Sequence, residues 1–476
     1  MFHVTWERNK SAQNITNRYL FTLSDLALQK RDVEDERFES QKVLEELASL
    51  IGWSAKVWEI LSFAFSKRLT RSQTWDLNEI PSEQRFDFYC AAEIYKRGVS
   101  CLPPTDQPIF KDQIHSKGSY KIDVIAQPNH EANFDIVDSF VFSLWNSSFP
   151  FLDKKIAIKC EEKQKSLSSV LEILRKWKDE GKPSKWRIIG GGLLLDLAQF
   201  AASLVGCETF LYPTTLLAIV DASIGGKCGV NLKNHGKNQI GRIYFPAKVV
   251  IWPNWLNSLP ARELLSGVGE CLKHAMIVGD RNLFREVVTA SSIGREKDAN
   301  SFRDLLTNLI NIKADICQKD PFEMNVRNYL NLGHTLAHAL EAEALERGHT
   351  LAHGQAVAFG LQFSLLLAKN LAEIKKEEFD FYWQGILNAK IVGHPSATLA
   401  LSKEELLSHS FFERLMKFIL QDKKNLSPQQ TLQWIIPCTK NPSSLYAVKQ
   451  VTVDEHYIKK IWFDEYAPLL SKNYLL

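Results

Sequence analysis

The sequence predicts a parallel-sheet α/β domain followed by a mainly helical domain, with an extra helical region ahead of both. Between residues 119 and 265, short β-rich runs alternate with helical stretches, as in parallel sheets covered by helices. From 266 to 476 long helical patterns dominate, and from 1 to 115 charged and apolar residues mix at helical spacing. We therefore expect domains at 119–265 and 266–476 and an accessory helical region at 1–115.

The N-terminal region carries no chemical motif. Its charged runs, such as DVEDERFESQKVLEEL, are most simply the solvated faces of helices. Pro103 and Pro104 open a polar stretch that extends to Gly118 and is typical of a linker. We expect the region to support an α/β domain whose first strands are shortened.

Five β-rich runs and two helical patterns define the α/β region. The runs are KIDVIAQ, KKIAIKC, WRIIGGG, ETFLYPTT and KVVIW, and the helices are SLSSVLEILRKWKDEG and LLDLAQFAASLVG. Ligands of such domains bind beyond the carboxyl ends of the strands, so this region has nucleotide-binding potential. In the region that follows, GQAVAFGLQFSLLLAKNLAEIKK is a clear helical pattern.

Composition excludes several classes of protein. The 476 residues are 45% hydrophobic and 24% charged, as in ordinary globular proteins. The net charge of +3 does not indicate nucleic-acid binding. The 8 cysteines are scattered without a C-x-x-C pair, so neither a zinc ribbon nor a disulfide framework is indicated. The first residues lack the apolar core of a signal peptide, and charged residues interrupt the apolar stretch from Leu44 to Phe65, which is therefore amphipathic. We expect a cytoplasmic protein without a membrane partner.

Two glycine-containing segments could hold a phosphorylated ligand. Gly190, Gly191 and Gly192 follow a strand and open a helix, where backbone N–H groups can approach a pyrophosphate. Three glycines after a strand are nevertheless more often a tight turn. The segment from Pro213 to Asn238 combines hydroxyls, an acid, lysines and an amide, which suits a phosphorylated, polyhydroxylated ligand. A polar surface loop is the alternative.

Metal-binding residue types occur in the helical region. Glu270, Lys273 and His274 share one helix face at the spacing i, i+3 and i+4. Four histidines follow downstream: His334, His338, His349 and His353. The first two are four residues apart and so share one helix face. At this spacing two histidines can bind one metal, or one can be a ligand while the other is an acid–base group. The histidines and a distant glutamate could form a three-ligand site, and satisfied core or surface histidines are the alternative.

Together and in this order, these segments resemble the sugar-phosphate cyclases, and among them the 3-dehydroquinate synthases. The matching stretches are GGGLLLDLAQF, PTTLLAIVDASIGGKCGVN, GKNQIG, LPARELLSGVGECLK, the Lys313 to Arg327 spacing, NLGHTLAHALE, HGQAVAFG and QDKKN. The resemblance covers roughly residues 160 to 430. It implies a Rossmann-like NAD-binding domain beside a helical domain that holds one divalent metal, zinc or cobalt.

The resemblance also implies roles for single residues. The metal ligands would be Glu270, His334 and His353, with His338 facing the substrate. NAD would contact Glu162, Lys165, Gly191, Gly192, Asp196, Thr214, Thr215, Asp221, Lys227, Lys237 and Ser258. Substrate binding and catalysis would fall to Lys227, Asn238, Lys273, Lys313, Arg327, Asn331, His338 and Lys424.

The implied activity is a lyase reaction of the shikimate pathway, which leads to aromatic amino acids. The substrate would be 3-deoxy-arabino-heptulosonate 7-phosphate and the product 3-dehydroquinate, from an enzyme that could be a homodimer. Lys313 and Arg327, the cations expected to bind the substrate carboxylate, favour this reaction over cyclisation of a neutral sugar phosphate such as sedoheptulose 7-phosphate. A glycerol-dehydrogenase-like oxidoreductase would not need the lysines around a phosphate. A non-catalytic homologue is a further alternative.

The sequence departs from the family pattern near the expected cofactor and phosphate. Leu195 and Gln199 replace glycines, and a bulky Leu195 could crowd a pyrophosphate. Val205 stands where the family has a phosphate-binding arginine, and Gln355 replaces a glutamate. Arg242, four residues after Asn238, is a hypothetical substitute for the missing arginine.

Overall fold

The computed structural model describes ten ranges of the chain, and these ranges fall into two compact units. The described residues are 2–7, 18–23, 73–76, 121–124, 132–232, 236–293, 299–323, 325–393, 398–421 and 431–472. The first unit contains the described residues within 1–123, 127–212 and 226–250, and the second contains those within 213–225 and 251–476. The domain limits expected from the sequence stay predictions. No helix within the described ranges is both long and apolar enough to cross a membrane.

The described residues of the N-terminal region form a small antiparallel sheet. Its strands are β1 (Phe2–Glu7), β2 (Arg18–Leu23) and β3 (Gln73–Asp76), in that order across the sheet. These residues differ from the helical prediction because FHVTWE and RYLFTL are rich in aromatic and β-branched residues. The charged segment on which that prediction rested lies outside the described residues.

A six-stranded sheet lies at the centre of the first unit. In chain order its strands are β4 (Lys121–Val124), β5 (Phe134–Asp138), β6 (Lys155–Ile158), β7 (Lys185–Gly190), β8 (Glu208–Pro213) and β11 (Lys248–Ile251). Across the sheet the order is β4-β11-β8-β7-β5-β6, and β5 pairs in parallel with both β6 and β7. All five β-rich runs are strands, so the predicted α/β architecture is confirmed. The sequence prediction missed β5, whose first four residues are all buried and show no alternation.

Three helices accompany this sheet: α1 (Ser139–Trp145), α2 (Leu167–Asp179) and α3 (Gly192–Val205). Asp138 ends β5 and accepts the N–H of Phe140 at 2.8 Å, so one residue ends the strand and begins α1. Gly191 is the N-cap of α3, and Gly206 ends that helix with a φ of 68°. The predicted glycine turn therefore exists, and it opens a helix of 14 residues.

The polar segment after β8 contains a hairpin that the sequence prediction did not include. β9 (Lys227–Leu232) and β10 (Gly236–Ile243) pair antiparallel, and β9 packs against α3. Gly226 precedes the hairpin with a φ of 70°, a conformation in which other residues are strained.

The second unit is mainly helical, as predicted. Its helices are α4 (Ala261–Val278), α5 (Arg281–Ile293), α6 (Ala299–Lys319), α7 (His334–Glu346), α8 (His353–Asn370), α9 (Lys376–Asn388), α10 (Lys403–Leu406), α11 (His409–Gln421), α12 (Glu455–Ile461) and α13 (Ala467–Lys472). The apolar helix α8 is central and packs against α4 and α7. A hairpin of β12 (Thr431–Pro437) and β13 (Val448–Asp454), which was not predicted, also packs on α8 through β12.

Candidate metal centre and cofactor cluster

One face of α4 carries three ionisable side chains that are buried in the helical unit. Glu270, Lys273 and His274 are at most 1% exposed. Buried charges require a partner of opposite sign or a metal, because desolvation of an isolated ion is costly. The Lys273 ammonium supplies part of this compensation through an ion pair with Glu270 Oε2.

The other oxygen of Glu270 faces two histidines from different helices. Glu270 Oε1 lies 3.5 Å from His334 Nε2 and 3.3 Å from His353 Nε2. One ligand atom of each residue lies within 4.8 Å of the others. Among the described residues, neither Glu270 oxygen takes part in a well-aligned hydrogen bond. A carboxylate and two imidazoles are ligand types that zinc prefers, so these residues fit a divalent cation.

Glycines allow the three helices to bring these ligands together. A methyl group on Gly354 would lie 1.8 Å from the Ser266 carbonyl oxygen, and one on Gly269 would lie 2.3 Å from the Gly354 carbonyl oxygen. A methyl group on Gly360 would lie 1.8 Å from the Gly333 carbonyl oxygen. The first contacts join α4 to α8, and the last joins α8 to the start of α7. Each ligand is therefore next in sequence to a glycine at a helix contact, a signal that the sequence contained.

The charges of the three candidate ligands suit a cation. Burial acts to raise the pKa of Glu270, but Lys273 and His334 outweigh it and hold this pKa well below its usual value. Burial and then Lys273 lower the pKa of His334 far below its usual value, so its ring is neutral with a free lone pair. Burial opposes protonation of His353, but Glu341 and Glu270 raise the pKa of His353 to about 10. A cation bound here would take the place of that proton.

A second group, formed by Asp221 from the segment after β8 and by Glu270 and His274 from α4, fits a cation less well. Asp221 Oδ1 lies 3.9 Å from His274 Nε2 and 2.6 Å from Lys313 Nζ. Burial acts to raise the pKa of Asp221, but Lys313 contributes most to lowering it, to about 2. Burial lowers the pKa of His274 to about 3. Because Lys313 and nearby Lys273 already neutralise Asp221, the group of Glu270, His334 and His353 is the better candidate.

His338 lies beside the candidate ligands without belonging to their group. Its ring centroid is 5.3 Å from that of His334 and 6.4 Å from that of His353. Its side chain is exposed, whereas Glu270 is fully buried. This position suits a group that meets a substrate, as predicted for His338, although that role stays a prediction.

Lys313 and Arg327, the expected carboxylate ligands, both bind the segment from Asp221 to Gly225. Lys313 Nζ donates to the backbone and side-chain oxygens of Asp221, each at 2.6 Å. Arg327 Nη2 donates to the Gly225 carbonyl at 2.8 Å, and a methyl group on Gly225 would lie 2.5 Å from this nitrogen. Both side chains are buried, so this segment is held by the same cations that were expected to bind substrate.

The predicted substrate ligand Asn331 has a partner that the sequence prediction missed. Its Nδ2 donates to Glu323 Oε1 at 3.3 Å. Glu323 has a φ of 61°, a strained backbone for a residue with a side chain. Such strain is typical of functional sites and makes Glu323 a further candidate.

In the first unit, four polar side chains form a cluster. Lys165 Nζ pairs with Asp196 Oδ2 at 2.6 Å, and Glu162 Oε1 accepts Asn231 Nδ2 at 2.7 Å. The N–H of Asn231 donates to the Lys165 carbonyl at 2.7 Å, so the two pairs are joined. Three of these residues were predicted to contact NAD, and Asn231 was not.

The glycine turn opens α3 in the same unit. Gly191 and Gly192 stand at the helix N-terminus, where free N–H groups favour an anion. Asp138, missed in the sequence because β5 was missed, lies beside this turn, since a methyl group on Gly190 would be 3.4 Å from its Cβ. Burial, and next the charge of Asp138, raise the pKa of the Cys160 thiol, which therefore stays protonated. A strand, a glycine turn and a helix N-terminus fit a dinucleotide cofactor.

Comparison with known proteins assigns the family. The N-terminal model of the 3-dehydroquinate synthases matches residues 155–266, and their C-terminal model matches residues 267–425. A 3-dehydroquinate synthase of Dictyoglomus thermophilum is 33% identical over 301 residues, which are 62% of this chain and 80% of that protein. The chain belongs to the 3-dehydroquinate synthase family. The family enzyme of Leptospira interrogans is 34% identical over 325 residues, 66% of this chain and 85% of that protein.

Solved structures show the same fold. ValA, a 2-epi-5-epi-valiolone synthase from Streptomyces hygroscopicus with NAD+ and Zn2+ bound, has a TM-score of 0.60 at 22% identity and covers 74% of this chain and 97% of its own. A 2-deoxy-scyllo-inosose synthase has a TM-score of 0.52 at 19% identity, with 72% and 91% covered. The predicted cyclase fold and the predicted family are confirmed.

Two of the departures from the 3-dehydroquinate synthase pattern, Leu195 and Gln199, are accommodated within the first unit. Leu195 is fully buried in its core. Gln199 Nε2 donates to the Tyr244 carbonyl, so this amide has a structural partner. Arg242 Nη1 donates to the Ser203 carbonyl at 2.8 Å, near the end of α3. This contact gives Arg242 a helix-capping role, and its hypothetical role as a phosphate ligand stays untested.

The remaining predicted residues differ in burial and in their local contacts. Thr214 is buried, Thr215 Oγ1 accepts the Ala218 N–H at 3.1 Å, and Ser258 Oγ donates to the Trp255 carbonyl at 3.1 Å. Lys227 begins β9 and is exposed. Lys237 and Asn238 lie in β10, where only the backbone is described, and Lys424 lies outside the described residues.

Proposed function

We propose that this chain is a 3-dehydroquinate synthase that converts 3-deoxy-arabino-heptulosonate 7-phosphate into 3-dehydroquinate and phosphate. It is a carbon–oxygen lyase of aromatic biosynthesis, dependent on NAD and on a divalent metal, and its substrate is a small sugar phosphate. Beyond family membership, the proposal is carried by the convergence of Glu270, His334 and His353 from three helices.

In this proposal Glu270, His334 and His353 hold the metal through Oε1 and the two Nε2 atoms. When bound, zinc or cobalt supplies a Lewis acid for the substrate hydroxyls, and NAD accepts and returns a hydride. Lys273 stays paired with Glu270 Oε2, which keeps this carboxylate ionised and oriented inside the unit. Because Glu270 is fully buried, bulk water does not reach this side of the site.

The substrate contacts are proposed from the placement of the remaining polar groups. His338 is exposed beside the ligand histidines, so its ring can give or take a proton at the substrate. Lys313 and Arg327 would bind the carboxylate after exchanging contacts with the segment from Asp221 to Gly225. Lys227, Asn238 and Lys424 are retained as candidate contacts to the sugar phosphate.

The NAD-binding role is proposed for the cluster of the first unit and for residues beside it. Gly191 and Gly192 leave the N-terminus of α3 open to the pyrophosphate, and Lys165 and Asp196 form an ion pair with hydrogen-bonding capacity. Further contacts are proposed for Glu162, Thr214, Thr215, Asp221, Lys227, Lys237 and Ser258.

One assay tests the proposal. Phosphate release from 3-deoxy-arabino-heptulosonate 7-phosphate is measured with NAD, before and after metal removal by a chelator and after zinc or cobalt is added back. We expect activity that the chelator abolishes and either metal restores. Faster turnover of sedoheptulose 7-phosphate would assign a different cyclase, and no turnover of either substrate would indicate a non-catalytic homologue.

A further inference from the structure

His353 lies between two carboxylates that approach opposite sides of its ring. Its Nε2 is 3.3 Å from Glu270 Oε1, and its Nδ1 is 3.3 Å from Glu341 Oε2. The Glu341 side chain is only 11% exposed. Glu341 belongs to α7, the helix that begins with His334, whereas His353 begins α8. One helix therefore supplies both a candidate ligand and a carboxylate that holds another candidate ligand.

The two histidines are held by different acceptors. His334 Nδ1 lies 3.2 Å from the Leu332 carbonyl oxygen, a neutral group. His353 Nδ1 faces a carboxylate instead. When a cation takes the place of the proton on His353 Nε2, a proton on Nδ1 of each ring leaves both Nε2 lone pairs free to bind that cation. A charged acceptor withdraws this proton more strongly than a carbonyl does, so it makes the Nε2 of His353 the better electron donor.

We propose that Glu341 is a positioning residue of the metal site, which fixes the tautomer and the orientation of His353 and strengthens His353 as a ligand. The inference rests on the proposed metal-dependent function. Glu341 is not itself a ligand, because its oxygen meets the ring nitrogen that points away from Glu270. Partners of this kind typically change metal affinity about 10- to 100-fold.

Zinc affinity of the metal-free protein tests this role without any activity measurement. The full chain is titrated with zinc in competition with a chromophoric chelator, for the wild type, Glu341→Gln and Glu346→Gln. Glutamine keeps the shape of residue 341 and removes its charge. Glu346 is the matched control, because it lies on the same helix and forms a loose surface pair with Lys417, at 3.8 Å. We expect zinc affinity to fall about 10- to 100-fold in Glu341→Gln and to stay unchanged in Glu346→Gln.

Two further measurements separate positioning from general stability. Thermal unfolding of the metal-free proteins should differ little between the wild type and Glu341→Gln, whereas the absorption spectrum of bound cobalt should change. If Glu341→Gln does not fold, Glu341→Asp retains the charge on a shorter side chain and should bind zinc with intermediate affinity. The inference would be overturned if Glu341→Gln bound zinc within twofold of the wild-type affinity. Where Glu341→Gln does not fold, the same limit applies to Glu341→Asp. A wild type that binds no zinc would instead refute the proposed function.

Discussion

The backbone of Gly354 lies directly against that of Ser266. The N–H of Gly354 donates to Ser266 Oγ at 3.2 Å, and a methyl group on Gly354 would lie 1.8 Å from the Ser266 carbonyl oxygen. Ser266 precedes Glu270 by one helical turn, and Gly354 follows His353. A close backbone contact between α4 and α8 is thus next to two of the candidate metal ligands.

We expect Gly354→Ala to separate α4 from α8 and to weaken metal binding. The clash is with backbone atoms, which cannot rotate away, and overpacking of this kind costs about 1–3 kcal/mol. Zinc affinity and the free energy of unfolding should both fall. The control is Gly181→Ala, where a methyl group meets open space but the φ of 83° imposes strain. That variant should lose stability alone, and unchanged zinc affinity in Gly354→Ala would contradict the expectation.

Arg327→Ala should lose most turnover of the acidic heptulosonate phosphate. A bound carboxylate without its arginine leaves a desolvated charge unpaired, which costs several kcal/mol. Because Arg327 also donates to the Gly225 carbonyl, thermal unfolding must be measured beside kcat/KM. Arg281→Ala is the control, since Arg281 pairs with the exposed Glu377 on the surface. A folded Arg327→Ala protein with wild-type kcat/KM would exclude Arg327 from carboxylate binding.

The buried ion pair between Asp135 and Arg187 joins β5 to β7. Two guanidinium nitrogens donate to the two carboxylate oxygens, each at 2.7 Å, and both side chains are at most 1% exposed. Arg187→Met leaves the carboxylate buried and unpaired, so we expect the free energy of unfolding to fall by about 3–5 kcal/mol. The double variant Asp135→Asn with Arg187→Met should recover part of this loss. Denaturant unfolding measures both, and a loss below about 1 kcal/mol would show that the pair contributes little.

The pair between Asp221 and Lys313 predicts a pH dependence of stability. The pKa of Asp221 is about 2 in the folded chain, below the ordinary value of 3.8. The contribution of ionised Asp221 to the free energy of unfolding is therefore complete above the ordinary pKa and is lost as the pH falls towards 2. Because the Asp221 side chain is 24% exposed, we discount the contribution to roughly 1–2 kcal/mol. The difference in unfolding free energy between the wild type and Lys313→Met should shrink from pH 6 to pH 3, and a constant difference would contradict this.

Elements with strong local patterns were predicted correctly. The β-rich runs such as WRIIGGG and the long helix α8 were recognised because side-chain periodicity is a local property of the chain. The strand β5 and both later hairpins were missed. A five-residue strand that is almost wholly buried has no alternation, and a hairpin in a polar, glycine-rich segment looks like a loop.

The sequence by itself determined the family, the helix face that carries Glu270, Lys273 and His274, and the residue types suited to a metal. It left open whether His334 and His338 both bind the metal, and only the resemblance assigned His334 to the metal and His338 to the substrate. The tertiary structure decided that Glu270 Oε1 faces His334 and His353, that Glu341 holds His353, and that Lys313 binds Asp221. Local periodicity specifies which face an element presents. Which distant faces meet depends on how closely backbones can approach, and here glycines at the helix contacts set that distance.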